Sequence, residues 1–370
     1  MEVSPNRHRI SNYFALPVMK QAARVAAYAQ EDSLWTNTVP MENNNYIFGI
    51  EVEVENVPNP VVYSKHLPYW KTVPDNSLRN NGVEFVTVPL KATQIEHAVC
   101  QLANSLPDNR DFSERTSVHV HMNVRDLTID NITALLTLYT LVENLLFKWV
   151  GHNRDKSVFC TKLIDTDYVT MYTQFQREPQ VIRNWNKYTA FNMLPIMEKG
   201  TVEFRHMYGT IDKTIILQWV NLLSCLKTAA KTYHINQLLP MIYELNSTSE
   251  YEMFLHKIFG NHIHQLLWDD TPELMAEAVC YLKLATIPLN VVAPPVAEPR
   301  LIPDIRRHTY GENREIRDHR DVDELLVEYD TATQNRILQI MGGQPLLRGD
   351  NAMEPEAIRP PTLANPIGAV

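Results

Sequence analysis

GIEVEVE at 49–55, GVEFVTVP at 82–89, TSVHVHMNV at 116–124 and KGTVEFRHMYGT at 199–210 share one habit of composition. Each alternates apolar residues with carboxylate, imidazole or guanidinium side chains. In a β-strand that alternation sends the two sets to opposite faces of the sheet. Glu51, Glu53 and Glu55 would then share a face, as would His119, His121 and Asn123, and Glu203 with Arg205. Ile50, Val52, Val54, Val118, Val120, Val202 and Phe204 would point into a core. The expected architecture is α+β: an antiparallel sheet whose polar faces meet, backed by helices.

Residues 1–45 read as an N-terminal extension, loose and polar over 1–12 and helical within 13–30. Residues 56–74 are rich in Pro and aromatics and read as a loop or lid. In DNSLRNNGVEFVTVPL a turn of Asn and Asp precedes a strand carrying Glu84, with Gly82 expected at a positive φ. Apolar spacing predicts a helix over 91–105 and a long buried helix from about 129 to 150, capped by Thr128 and stopped by Gly151. The stretch 151–198 reads as irregular and polar, with Arg154, Ser157, Arg183, Lys187, Tyr188 and Asn192 as candidate substrate contacts. Helices are expected at 212–233, 236–245, 249–259 and 271–286. The run 288–303 holds five Pro and no Gly, as a stiff linker would. A charged segment and an amphipathic helix fill 304–343, and 344–370 reads as a disordered tail. The central domain is therefore expected at 46–287.

The chain has 370 residues, a formal charge of −9 and 45% apolar content. That charge, without a Lys/Arg cluster, argues against broad binding to nucleic acid or an anionic membrane. Cys100, Cys160, Cys225 and Cys280 stand 55 to 65 residues apart and form no CxxC pair, which suits a reducing cytoplasm. The segment 132–150 contains Glu143, Asn144 and Lys148, as a buried core helix does and a membrane span rarely does.

The site chemistry has competing readings. Strand glutamates are commonly just a solvated face. Two His at spacing 2 could serve a hydrolytic zinc site, but four Glu from three strands suit hard, phosphate-bound Mg²⁺ better. No GxxxxGK[ST] is present, so a bound nucleotide would be held by metals and Arg.

The order of the four motifs, with NKYTAFNM at 186–193, resembles the amidoligase family of carboxylate–amine ligases, which is similar in fold to glutamine synthetase and glutamate–cysteine ligase. The resemblance covers roughly 46–235 and implies a sheet curled into a partial barrel. It implies an ATP-dependent ligase that forms an amide or isopeptide bond through an acyl phosphate. Glu51, Glu53, Glu84, His119 and Glu203 would hold Mg²⁺, and His121 would contact ATP. Arg205 would neutralise the phosphoryl group in flight, with Glu203 and His121 beside it in the catalytic set. Arg154 and Lys187 are weaker candidates for cofactor or carboxylate binding. The substrates would be an amine and a carboxylate from an amino acid, peptide or protein. Family members are frequent in bacteriophages, which would place the protein in a host cytoplasm. The alternative is a non-catalytic interaction protein that retains the fold and meets a protein partner through 304–370.

Overall fold

A computed structural model of the chain describes residues 8–16, 40–58 and 66–290, with side chains described to 286. The expected linker beyond 290, the charged segment with its amphipathic helix, the tail, and most of the predicted 13–30 helix lie outside the described residues.

Pairing of the polar-apolar segments builds one sheet of seven strands in the order β2-β3-β1-β5-β7-β6, with β4 paired to β1. The strands are β1 (Ile47–Val54), β2 (Trp70–Val73), β3 (Val83–Thr87), β4 (Leu90–Lys91), β5 (Ser117–Asn123), β6 (Phe191–Asn192) and β7 (Thr201–Tyr208). Every pairing is antiparallel. The sheet is open, since its path runs from β2 to β6 without returning. The helices are α1 (Ile10–Tyr13), α2 (Ile95–Ser105), α3 (Ile129–Val150), α4 (Tyr168–Arg177), α5 (Lys213–Thr232), α6 (Ile235–Tyr243), α7 (Thr248–Phe259) and α8 (Thr271–Asn290). The class is α+β, an open antiparallel sheet backed by helices.

The apolar set of the four strands behaves as the alternation requires. Ile50, Val52, Val54, Val118, Val120, Val202 and Phe204 are all fully buried. Against them lies α3, which touches β7 on one side and α4, α5, α6 and α8 on others. A helix surrounded this way is apolar on nearly every face. Tyr139 of α3 stacks on Phe191, ring centroids 4.6 Å apart, and Phe204 meets the same pair edge-on. The ends of α3 follow their expected signals: Thr128 Oγ1 accepts from Asn131 N at 3.1 Å, and Gly151 adopts φ +65. None of the described helices is long and apolar enough to cross a membrane.

Several expectations need correction. The supposed lid holds β2, a short edge strand whose Trp70 is buried and donates its indole N–H to Ala98 O at 2.8 Å. Four residues are too few for period 2 to stand out. Helix α4 crosses the stretch read as irregular. Its β-branched and aromatic residues are weak helix formers, yet Tyr168, Tyr172 and Phe175, at helical spacing, are buried. Near the N-terminus Ile10 is fully buried, with its N–H bonded to Leu127 O at 2.7 Å, so part of 1–12 is packed. Helix α8 runs to Asn290, past the expected 286 and into the proposed linker. In the 75–82 turn the positive φ angles belong to Asn80 and Asn81, residues that tolerate the left-handed region. Gly82 is needed for another reason: a Cβ there would lie 2.3 Å from Leu78 Cβ and 2.9 Å from Arg79 O.

The core makes a stability prediction. Phe204→Ala is expected to cost about 3–5 kcal/mol in urea unfolding. Met253→Ala, at a side chain 58% exposed on α7, should stay within about 0.5 kcal/mol. Similar losses for both would contradict the placement of Phe204 between sheet and helix.

Candidate active site

On the other face of the sheet, strand register brings the polar residues together. Glu51 pairs with His119 and Glu53 with Glu84. His121 pairs with Glu203, which also pairs with Asn192. Glu51, Glu53, His119, His121, Asn192 and Glu203 are all at least nine-tenths buried. Buried charge is tolerated only when paired, hydrogen-bonded or bound to metal, and the contacts supply such partners.

Glu51 sits at the centre. Its Oε1 lies 3.0 Å from His121 Nε2 and its Oε2 lies 3.3 Å from His119 Nδ1. The His119 Nδ1 is also 3.4 Å from Glu203 Oε1. On the opposite edge of that ring, Ser117 Oγ lies 2.7 Å from Nε2 and donates to Glu53 Oε2 at 2.6 Å. Glu203 accepts from Asn192 Nδ2 at 2.7 Å and from Arg205 at 2.5 Å. His121 Nδ1 lies 3.1 Å from Thr201 Oγ1.

The carboxyl groups are driven apart in acidity. Burial opposes ionisation of Glu51, but hydrogen bonds and charge from His119 and His121 outweigh it and hold the group well below the usual range. Glu203 is also lowered, since His119, Arg205 and His121 outweigh its burial. Burial raises Glu53 despite His119 and Ser117. Glu84 is pushed up to about 9, first by burial and then by the Glu51 carboxylate beside it. Like charges sharing a site divide in this way, one ionised and one holding a proton.

Two trios can each hold a divalent cation: Glu51, His121 and Glu203, and Glu51, Glu84 and His119, with the ligand atoms of each within 4.8 Å of one another. Glu51 belongs to both and offers a different oxygen to each imidazole, so one carboxylate can bridge two ions. Two carboxylates and one imidazole per trio suit Mg²⁺ or Mn²⁺. Glu53 belongs to neither trio. It lines an adjoining cavity of about 280 Å³ together with Glu203, Arg205, Lys187, Tyr188 and Asn192. The same cavity is lined by Asp75, Ser77, Arg115, Ser117 and Phe159, which sequence reasoning had not singled out as site residues. Ser117 was legible, because it lies two residues before His119 on the same strand face. Asp75, Ser77 and Arg115 come from loops, where no period marks direction.

Arg154 stands apart from the cavity. It is buried, and its Nε and Nη2 donate to His206 O and Arg205 O at 2.9 and 3.0 Å. Those carbonyls lie where the β5–β7 register slips between Val118 and Val120, a β-bulge of the kind that re-aims a side chain. Arg205 keeps the cavity face that alternation gives it, and the bulge lets Met207 as well as His206 turn into the core. There His206 Nε2 lies 2.9 Å from Tyr139 Oη, and Tyr139 donates to Glu143 at 2.7 Å. Burial and the Arg154 charge push His206 down to about 3, so the ring is neutral. Arg154 thus fixes the backbone that carries Arg205 and does not reach into the cavity. Arg183 is exposed and does not line the cavity, and half-buried Ser157 accepts from Phe159 N at 3.3 Å.

Residues 59–227 match the family described as "Putative amidoligase enzyme", which supports the resemblance read from the motifs. No curated protein matches the chain. The family match begins after β1, so Glu51 and Glu53 lie outside it and join the site through strand pairing.

Glu84 makes the site sensitive to pH. A carboxyl group raised from 4.5 to about 9 stabilises the fold fully below the lower value and loses that contribution as pH rises through the upper one. Without divalent metal, the melting temperature of the wild type should fall more steeply across that window than that of Glu84→Gln. Parallel curves would show that Glu84 is not held protonated.

Proposed function

We propose, for a chain whose residues 59–227 match the amidoligase family, that it is an ATP-dependent carboxylate–amine ligase. The observation that carries this reading is the pair of carboxylate–imidazole trios sharing Glu51, set beside a cavity that also presents Arg205 and Lys187. Phosphoryl transfer needs positioning and charge neutralisation more than covalent help from the protein, and these are what such residues provide. A fold relationship to glutamine synthetase belongs to the same proposal.

Glu51, Glu84, His119, His121 and Glu203 would hold Mg²⁺, which when bound supplies charge neutralisation for nucleotide phosphates. In the proposed reaction a carboxylate oxygen takes the γ-phosphoryl group and ADP leaves. An amine nitrogen then attacks the acyl carbon, loses a proton and displaces phosphate, leaving an amide. Arg205 is placed to offset negative charge at the cavity. Its link to Glu203 and its Nε–H bond to Phe159 O at 3.2 Å fix the guanidinium in advance. Asn192 holds Glu203 from the other side, and Arg154 holds the bulge beneath. The exposed Lys187, its ammonium 4.8 Å from the Tyr188 ring centroid, can meet an anionic substrate at the cavity edge. The mixed signs of the lining, Asp75 and Glu53 with Arg115 and Lys187, favour charged substrates such as amino acids or peptide ends.

Assay of ADP release with Mg²⁺ and mixtures of amino acids tests this proposal. Release should require both a carboxylate and an amine. It should fall by about 10²–10³-fold in Arg205→Gln, the order seen on removing one donor that stabilises transition-state charge. ADP release independent of amine, or undiminished in the variant, would contradict the assignment.

A further inference from the structure

Away from the sheet, α5 carries Asn221 and Cys225 one turn apart on the same side. Asn221 is fully buried, and both ends of its amide hold the segment that leads into β1. Its Nδ2 donates to Pro40 O at 2.8 Å, and its Oδ1 accepts from Glu42 N at 2.9 Å. This clamp sets Glu42 beside α5, close to Cys225. From another direction the turn after α7, Gly260–Gln265, brings in His262, whose Nε2 lies 2.8 Å from Glu42 Oε1. One ligand atom from each of Glu42, Cys225 and His262 lies within 4.8 Å of the others. Cys225 is 5% exposed, and its thiol points to Phe259 O at 3.9 Å.

A further residue of the same turn has an unmet need. Gln265 Nε2 lies 3.2 Å from His262 Nδ1, and Gln265 Oε1 is buried with no hydrogen-bond partner. The oxygen and nitrogen of an amide are assigned from their surroundings. With the amide turned over, Gln265 Oε1 accepts from His262 Nδ1–H, the amide nitrogen takes the unpartnered position, and the lone pair of His262 Nε2 is directed at Glu42. Two lone pairs facing each other need a positive charge between them, either a proton on His262 or a metal ion that also reaches Cys225. A ring N–H held by an outer acceptor is also the usual support of a metal-bound histidine.

We propose that Glu42, Cys225 and His262 form a zinc site, with water as the fourth ligand and Gln265 as the outer support of the histidine. Thiolate, imidazole and carboxylate together suit Zn²⁺, whereas Mg²⁺ and Ca²⁺ take oxygen ligands. The site shares no residue with the sheet trios and does not depend on the ligase reading. It ties the segment before β1 to α5 and to the turn after α7, three parts of the chain far apart in sequence. The competing arrangement is a plain ion pair between Glu42 and a protonated His262 over a free thiol.

The full-length protein, purified without chelator, should carry one zinc per chain by elemental analysis. Co²⁺ substituted for it should give the near-ultraviolet absorption of a thiolate–cobalt bond. Cys225→Ser and His262→Ala should each abolish that absorption, while Glu203→Gln retains it. Gln265→Leu should weaken zinc binding on the order of 10–100-fold, the usual consequence of losing an outer partner. His262 is only partly buried, so its variant, checked by circular dichroism, keeps the test valid if the cysteine variant misfolds. The proposal is overturned if no zinc is retained, if cobalt gives no thiolate band, or if bound metal survives His262→Ala and is lost in Glu203→Gln.

Discussion

The described structure depends on how carboxylates and imidazoles are kept out of water on one face of a sheet. An isolated buried charge is prohibitively costly, and removing one partner of a buried pair leaves the other uncompensated. Here Glu51 is flanked by two imidazoles, Glu203 by Asn192 and Arg205, and Glu53 by Ser117. Glu84 takes the remaining solution and holds its proton. A divalent cation bound there would displace that proton and neutralise the rest.

Rigidity comes from the other face. The apolar side of the same strands is packed on α3, and the β-bulge in β7 is anchored from two directions, by Arg154 on its carbonyls and by Tyr139 and Glu143 through His206. Buried polar networks of this kind are specific when every member is partnered. Within this network His206 Nδ1 has no hydrogen-bond partner. The bulge explains why His206 and Met207 are both buried on a strand that otherwise alternates, while Arg205 keeps the face it shares with Glu203.

Period-2 alternation made the strands, their core faces and the grouping of Glu51, Glu53, His119, His121, Glu203 and Arg205 legible from sequence, because each residue's face follows from its neighbour's. Apolar spacing did the same for α3, α5 and α7, with caps marking the ends of α3. What stayed hidden lacks a period. The edge strand β2 is too short to show one, and α4 is written in residues that favour strands. Asp75, Ser77 and Arg115 reach the cavity from turns. Arg154 looked like a substrate ligand because an arginine in a polar loop gives no sign that its partners are backbone carbonyls of a bulge some 50 residues away in the chain.

Because Glu51 is shared by both trios, this one carboxylate would organise two cation positions on the sheet. Titration of the metal-free protein with Mn²⁺ in the presence of ADP, followed by electron paramagnetic resonance, measures this directly. Two ions per chain are expected for the wild type, and both should be weakened together in Glu51→Gln. Unchanged Mn²⁺ binding in that variant, or loss of one ion with the other untouched, would contradict a bridging role for Glu51.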